Sequence, residues 1–263
     1  MILAGDHDWP AMLAHLGGRA VDGLEGVRDG VYWRNLRSGT FEIAAGPDVR
    51  TDDPDVVARA RQLLGMDADL GPIHAHLSRD PVLRDWIAAR PRVRVMGGWD
   101  PFEVACRAVL GQQVTIEQAR RLAGRLVERG GARSAPGLLF PTPEEVLAAD
   151  LTGMGMPGAR AATLHELAQA VVADPELFTR VEPTAARVAR LRAIKGVGEW
   201  TAQYVSMRGC RDPDAFPASD VGLLRGAAVG GVRPTPAALL AQAEAWRPYR
   251  AYAAAHLWAA DAA

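Results

Sequence analysis

The 263 residues, with 49% hydrophobic and 23% charged side chains, describe a chain that folds around a sizeable core, which excludes a disordered segment or a disulfide-stapled mini-protein. Its two cysteines, Cys106 and Cys210, stand far apart in sequence; they exclude a cysteine-built zinc site or a four-cysteine iron–sulfur cluster, and fit a reducing compartment. The formal charge of −1 hides an asymmetry: residues 1–70 carry −5, the remainder carries +4, and Lys195 is the only lysine among 30 basic residues.

The N-terminal segment lacks the positive flank and continuous apolar stretch of a signal peptide. No run of about 18 apolar residues occurs either, so a cytoplasmic protein with no membrane span is expected. Asp8-Trp9-Pro10, followed by Met12, Leu13 and Leu16, predicts a short capped helix. Val31 to Leu36, then Ser38-Gly39, then Thr40 to Ile43, predicts a β-hairpin. From Pro54 the period becomes helical, with Val56, Val57, Ala60, Leu63 and Leu64 on one stripe, and no further strand is expected. The fold class is therefore α+β, mostly α: a small N-terminal antiparallel β-sheet subdomain over residues 1–70, then a helical bundle over residues 71–263.

Asp100-Pro101 opens a helix with Phe102, Cys106, Val109 and Leu110 on one face, closed at Gly111. Thr115 opens the next, with Gln118 placed to complete a capping box, which leaves Gly111-Gln112-Gln113-Val114 as a polar corner. Thr142-Pro143, Met156-Pro157-Gly158, Glu182-Pro183-Thr184 and Thr235-Pro236 mark further helix starts. A helix begun at Thr184 ends by Ile194, where Gly196 and Gly198 bracket one apolar residue, and another runs from Glu199 to about Met207. The glycines permit a sharp turn and a close approach, and the amides opening the second helix favour an anion. Six basic residues between Arg187 and Arg211, against Glu199 alone, give this stretch +5, which suits a polyanion such as DNA. An ordinary αα-hairpin solvated by arginines accounts for the same pattern.

Ile194-Lys195-Gly196-Val197-Gly198, followed by Trp200, Thr201, Ala202 and Tyr204 and then by Phe216-Pro217-Ala218-Ser219-Asp220, resembles the helix-hairpin-helix DNA glycosylases, and among them the bacterial DNA-3-methyladenine glycosylase II family. Trp99 to Glu103, Val109 to Thr115, Gly155 to Ala161, Trp246 to Tyr252 and His256-Leu257-Trp258 agree with that family, so the resemblance spans most of the chain from Asp8 to Trp258. It implies a helix-hairpin-helix over about residues 184–209, a cleft between helical subdomains, and a glycosylase that flips out and hydrolytically excises alkylated bases. These are of the 3-methyladenine and 7-methylguanine type, with 1-methyladenine and 3-methylcytosine added where the pocket is open. The implied partner is double-stranded DNA carrying such bases, bound by a monomer. A non-catalytic lesion-sensing module and an oxidised-purine glycosylase with lyase activity are the competing readings.

Residue by residue, the resemblance makes Asp220 the catalytic carboxylate, although Asp220 before Val221, Leu223 and Leu224 is also a plain helix N-cap. It places Trp258, Trp200 and Tyr204 around the base, where electron-rich rings favour an alkylated cation. Trp33, Trp86 and Trp246 are given no place around the base and are expected in the core. DNA contacts fall on Gln112, Gln113, Lys195, Gly196, Val197 and Gly198, with Gln113 as the wedge where known members carry a bulky aliphatic residue. Lyases of the superfamily carry a lysine nucleophile where Trp200 stands, and Lys195 lies in the turn, so a water-using enzyme without lyase activity is expected. No catalytic cofactor is implied. A structural sodium or potassium ion is, held by main-chain carbonyls of Arg192, Ile194 and Val197. Only a few residues precede Asp8, where the family usually has an additional strand.

Overall fold

The computed structural model describes residues 7–45, 48–51 and 53–261; the segment where the family's additional strand would lie falls outside them. The Asp8 carboxylate accepts the Ala11 amide and opens α1 (Trp9–Gly17), as its spacing predicts. The expected hairpin is the centre of an antiparallel meander of β1 (Glu25–Arg28), β2 (Val31–Leu36), β3 (Gly39–Ala44) and β4 (Asp48–Val49), in that spatial order. Its register sets Tyr32 opposite Ile43 and Arg34 opposite Phe41. α2 (Pro54–Leu64), α3 (Leu70–Leu77) and α4 (Pro81–Ala89) follow, each started by an aspartate cap.

Next come α5 (Pro101–Leu110) and α6 (Ile116–Gly130). Thr115 caps the Gln118 amide, but the reciprocal capping box is found instead at Thr142 and Glu145, which bond each other's amides at 3.2 and 2.8 Å. The expectation of no further strand is corrected by a ribbon of β5 (Arg133–Ser134) and β6 (Gly137–Leu138). Two residues per strand are too few for an alternation to show, and Leu138 is anchored by its amide to the Gly23 carbonyl. The rest is helical: α7 (Pro143–Ala148), α8 (Gly158–Ala173), α9 (Thr184–Arg192), α10 (Glu199–Arg208), α11 (Val221–Gly226), α12 (Pro236–Ala243), a 3-10 turn at Glu244–Trp246, and α13 (Arg250–Asp261). Among the described residues no helix is long and apolar enough to cross a membrane.

Among the described residues, three apolar cores organise these elements. One joins Trp9 and Leu16 of α1 to Tyr32, Phe41 and Ile43 of the sheet and to Val57 and Leu64 of α2. A second packs α5, α6, α8 and α9 around Leu110, Leu126, Leu164 and Leu191. In the third, Ile73, Leu77 and Leu83 of α3 and α4 meet Leu223, Leu239, Trp246 and Leu257 near the other end of the chain. Trp246 is buried there, as expected, with its indole N–H on the Asp80 carboxylate; Trp33 and Trp86 are only half-buried. α10 runs between the last two cores, giving Ala202 and Val205 to one and Met207 to the other. A buried ionic network ties the sheet to α5: Arg34 bridges Glu25 and Glu103, and Arg107 bridges the same two carboxylates at 2.6 and 2.7 Å.

Candidate active site

α10 lies between two cores, and its Trp200 and Tyr204 meet Asp220 at the start of α11 and Trp258 of α13. Trp200 and Tyr204, one helical turn apart, stack with ring centroids 5.1 Å apart. Trp258, from α13, meets Tyr204 edge-on at 6.3 Å. All three are half-buried. The sequence-predicted aromatic residues thus form one cluster drawn from two elements.

Asp220 closes the cluster. It is both the helix cap and the carboxylate of the site: Oδ1 accepts the Leu223 amide at 3.1 Å and Trp258 Nε1 at 2.8 Å, while Oδ2 accepts Trp200 Nε1 at 2.9 Å. An indole is a donor only, so an acceptor is what each tryptophan requires here. No cation comes within ion-pair distance of Asp220 among the described residues. A carboxylate has about four lone-pair positions, so three neutral donors leave room on Oδ2 for one more partner. Arg208 stands behind the rings, its guanidinium carbon 4.9 Å from the Trp258 centroid, and donates to the Met96 carbonyl instead.

The hairpin lies at the other end of α10. Gly196 adopts φ +88°, and a Cβ there would fall 1.9 Å from Thr163 Oγ1, so both backbone conformation and packing demand glycine. Gly198 differs, since a Cβ there would meet nothing within 4 Å and α10 opens on it without a side-chain cap. Lys195 is exposed in the turn. Val197 has its side chain in the core and its amide on the Ile194 carbonyl at 3.0 Å. Gln112 reaches across, its Nε2 donating to the Gly196 carbonyl and to Thr201 Oγ1, and Arg160 donates to the Gln112 carbonyl at 2.7 Å. The next residue, Gln113, is exposed at φ +56°, a strained conformation for a side chain other than glycine.

The expected +5 stripe is corrected. Arg187 is buried against Asp212 at 2.5 Å, Arg190 pairs with Glu182, Arg192 with Glu199 at 3.0 Å, and Arg208 is buried behind the aromatic cluster. The partners of Arg187 and Arg190 lie just outside the counted window, so the sum over sequence overstates the charge facing solvent. Lys195 has no carboxylate partner among the described residues.

Two family models match the chain. The AlkA N-terminal domain covers residues 4–100 and the HhH-GPD superfamily base excision DNA repair protein covers residues 106–251. The chain belongs to the HhH-GPD superfamily. A probable bifunctional transcriptional activator/DNA repair enzyme AlkA of Mycobacterium tuberculosis is 39% identical over 94% of this chain, which spans about half of that relative (53%). The DNA-3-methyladenine glycosylase 2 of Escherichia coli is 33% identical over 96% of this chain and 93% of its own length. Among solved structures, a 3-methyladenine DNA-glycosylase from Archaeoglobus fulgidus aligns with a TM-score of 0.83, covering 100% of this chain and 97% of its own, at 20% identity; it shares the HhH-GPD fold.

Several residues that shape this HhH-GPD site escape sequence reasoning. A Cβ on Gly222 would meet Trp258 at 3.0 Å, and one on Gly226 would fall 1.9 Å from the Leu257 carbonyl oxygen. These two glycines, four apart on α11, let α13 lie close enough for Trp258 to reach Asp220. Their spacing is the one signal that marks them. Arg160 lies in the Gly155 to Ala161 stretch and Arg208 among the basic residues of the hairpin, but neither position signals the contacts it makes.

Proposed function

We propose that the chain is a monofunctional DNA glycosylase that flips alkylated bases, of the 3-methyladenine and 7-methylguanine type, out of double-stranded DNA and releases them with water. The observation that carries this reading is the Asp220 carboxylate, held by two indoles and an amide at the edge of an aromatic cluster. An alkylated base enters beside Trp200, Tyr204 and Trp258, whose rings favour its positive charge. The C1′–N bond breaks with its electron pair leaving on the base, which neutralises that charge, so no strong acid is required. Asp220 stabilises the cation developing on the sugar, and water adds at C1′ as its proton passes to the carboxylate or to solvent.

The remaining elements serve access. Gln113, exposed and strained beside a corner tethered by Gln112 and Arg160, fills the vacated stack. Gly196 turns the hairpin and Gly198 leaves open space before the uncapped amides of α10, where a phosphate docks with help from Lys195. The hairpin carbonyls of Arg192, Ile194 and Val197 are oxygen donors suited to a sodium or potassium ion; Ile194 spends one lone pair on the Val197 amide and keeps the other. That ion would fix the turn and play no part in bond breaking. Trp200 fills the start of α10 and the one lysine sits in the turn, so among the described residues no side-chain amine is placed to form a Schiff base with the sugar.

Incubation of methylated duplex DNA with wild type and Asp220→Asn, followed by alkaline cleavage at abasic sites, tests the reading. Wild type releases bases, and the variant is slower by about a thousandfold while still binding the lesion. Equal release by both removes the role given to Asp220, and lesion binding without any abasic product makes the protein a sensor. Borohydride trapping yields no covalent species unless a lyase step occurs.

A further inference from the structure

A cavity of about 90 Å³ opens between α1, the sheet, α5 and α10, and it shares Tyr204 with the aromatic cluster. Its wall carries many ionisable groups, and most are already satisfied. Glu25 and Glu103 are taken up by Arg34, Arg107 and the Tyr32 hydroxyl. What remains is a short polar rim of His15, Arg19 and Arg208. The guanidinium of Arg208 is buried, with one nitrogen on the Met96 carbonyl and Nε without any partner. His15 is half-buried, and no hydrogen bond to its ring is formed among the described residues, although its carbonyl accepts from Arg19 at 3.4 Å. Burial, with Arg19 and Arg208 beside it, holds the His15 imidazole well below its ordinary pKa, so the ring is neutral at physiological pH.

Arginine offers donors only, and a neutral imidazole offers one N–H and one acceptor nitrogen. Guanidinium groups on its flank favour the tautomer and ring setting that face the acceptor nitrogen toward them, which leaves the N–H for the cavity. The free hydrogen-bonding capacity of this rim is therefore donor-rich, and among the described residues no unpaired carboxylate lines the cavity to balance it. A base edge carrying a carbonyl oxygen complements it, whereas an exocyclic amino group meets donors with a donor, which leaves buried polar groups unpaired.

We propose that His15, supported by Arg208, is a specificity-determining residue that reads the carbonyl edge of the flipped base, so that alkylated 6-oxopurines are held in preference to alkylated 6-aminopurines. The inference rests on the glycosylase reading above and adds a discrimination that the aromatic rings, attracted to any cationic base, do not supply. Charge cancels in the comparison, because 7-methylguanine and 3-methyladenine are both cationic in DNA.

Duplex DNA treated with a methylating agent carries both lesions, and chromatography of the released bases gives the two single-turnover rates in one reaction. His15→Phe is expected to lower the ratio of 7-methylguanine to 3-methyladenine release about tenfold, the worth of one hydrogen bond. His15→Asn, which keeps an N–H donor, restores the ratio to within about threefold of wild type. Should the Phe ring not fit the fold, His15→Leu removes the donor without a ring and is expected to give the same drop. A ratio unchanged in His15→Phe and His15→Leu, or an equal loss of both activities, overturns the inference while leaving the glycosylase reading in place. Release of neither base by the wild type overturns both.

Discussion

Glu25, in the N-terminal network, meets two guanidinium groups and a tyrosine hydroxyl, whereas Asp220, at the start of α11, meets two indoles and a peptide amide. Both carboxylates are oriented by several donors, yet the donors differ in charge. Burial pushes the Glu25 carboxyl upward, and Arg107 and Arg34 outweigh it and hold the group below the usual carboxylate range. That negative charge is cancelled where it stands and has no field left to offer a reaction. Around Asp220 the donors are neutral, so the group is fixed in place without being neutralised. The difference separates a carboxylate that joins two layers of a fold from the one proposed to serve chemistry.

The contrast can be broken most directly at Arg34. Arg34→Met leaves Glu25 and Glu103 short of a buried cation and is expected to cost about 3–5 kcal/mol in urea denaturation. Asp220→Asn keeps the helix cap but turns an amide NH2 toward the Trp200 indole N–H, and is expected to cost about 1–2 kcal/mol, less than the loss at Arg34. Similar losses at the two positions would erase the distinction drawn here.

Acid sharpens the comparison from another side. His256, one residue from the Leu257–Trp258 pair, is buried with Nδ1 unpartnered, and burial followed by the neighbouring His74 lowers its pKa to about 4. Below its ordinary pKa near 6.5 the unfolded chain takes up a proton that the folded chain refuses, so stability falls as the pH drops from about 6.5 toward 4. Between pH 7.5 and 5 this amounts to about 2 kcal/mol, and His256→Leu is expected to remove most of it, measured as the change in Tm with pH. Glu25, depressed rather than raised, keeps its contribution over that range and loses it only in stronger acid.

Smaller effects test the neutral-donor arrangement itself. Trp200→Phe retains the stack on Tyr204 and deletes the donor to Asp220 Oδ2, so kcat is expected to fall about tenfold with little change in lesion affinity. An unchanged kcat would mean that the remaining amide and Trp258 suffice to hold the carboxylate. Last, Gln113→Gly relieves the left-handed backbone at the proposed wedge and is expected to raise stability by about 0.5 kcal/mol in thermal melts while weakening base release.

Much of this was legible because it depends on spacing. Asp8, Thr142 and the proline-led starts announce helices through local capping chemistry, and Trp200 with Tyr204 declare a shared face by being four apart. Asp220 was legible as a cap and as a catalytic candidate, and the structure makes it a cap that also receives both indoles. What stayed hidden depends on neighbours far away in sequence. The charge of the hairpin stretch was overstated because Asp212 and Glu182 lie outside the stretch but fold onto its arginines. His15 gave no sign because its setting is made by Arg208, almost two hundred residues on, and the two-residue ribbon at Arg133 is shorter than any periodicity.

Lys195, exposed in the hairpin turn, is also a chemical address. With 29 of its 30 cationic side chains guanidinium, the chain offers an amine-selective reagent one side-chain target, and that target sits on the face proposed to meet DNA. Acylation there would deliver a fluorophore or crosslinker to a defined point without introducing a cysteine, turning the natural sequence into its own reporter of docking.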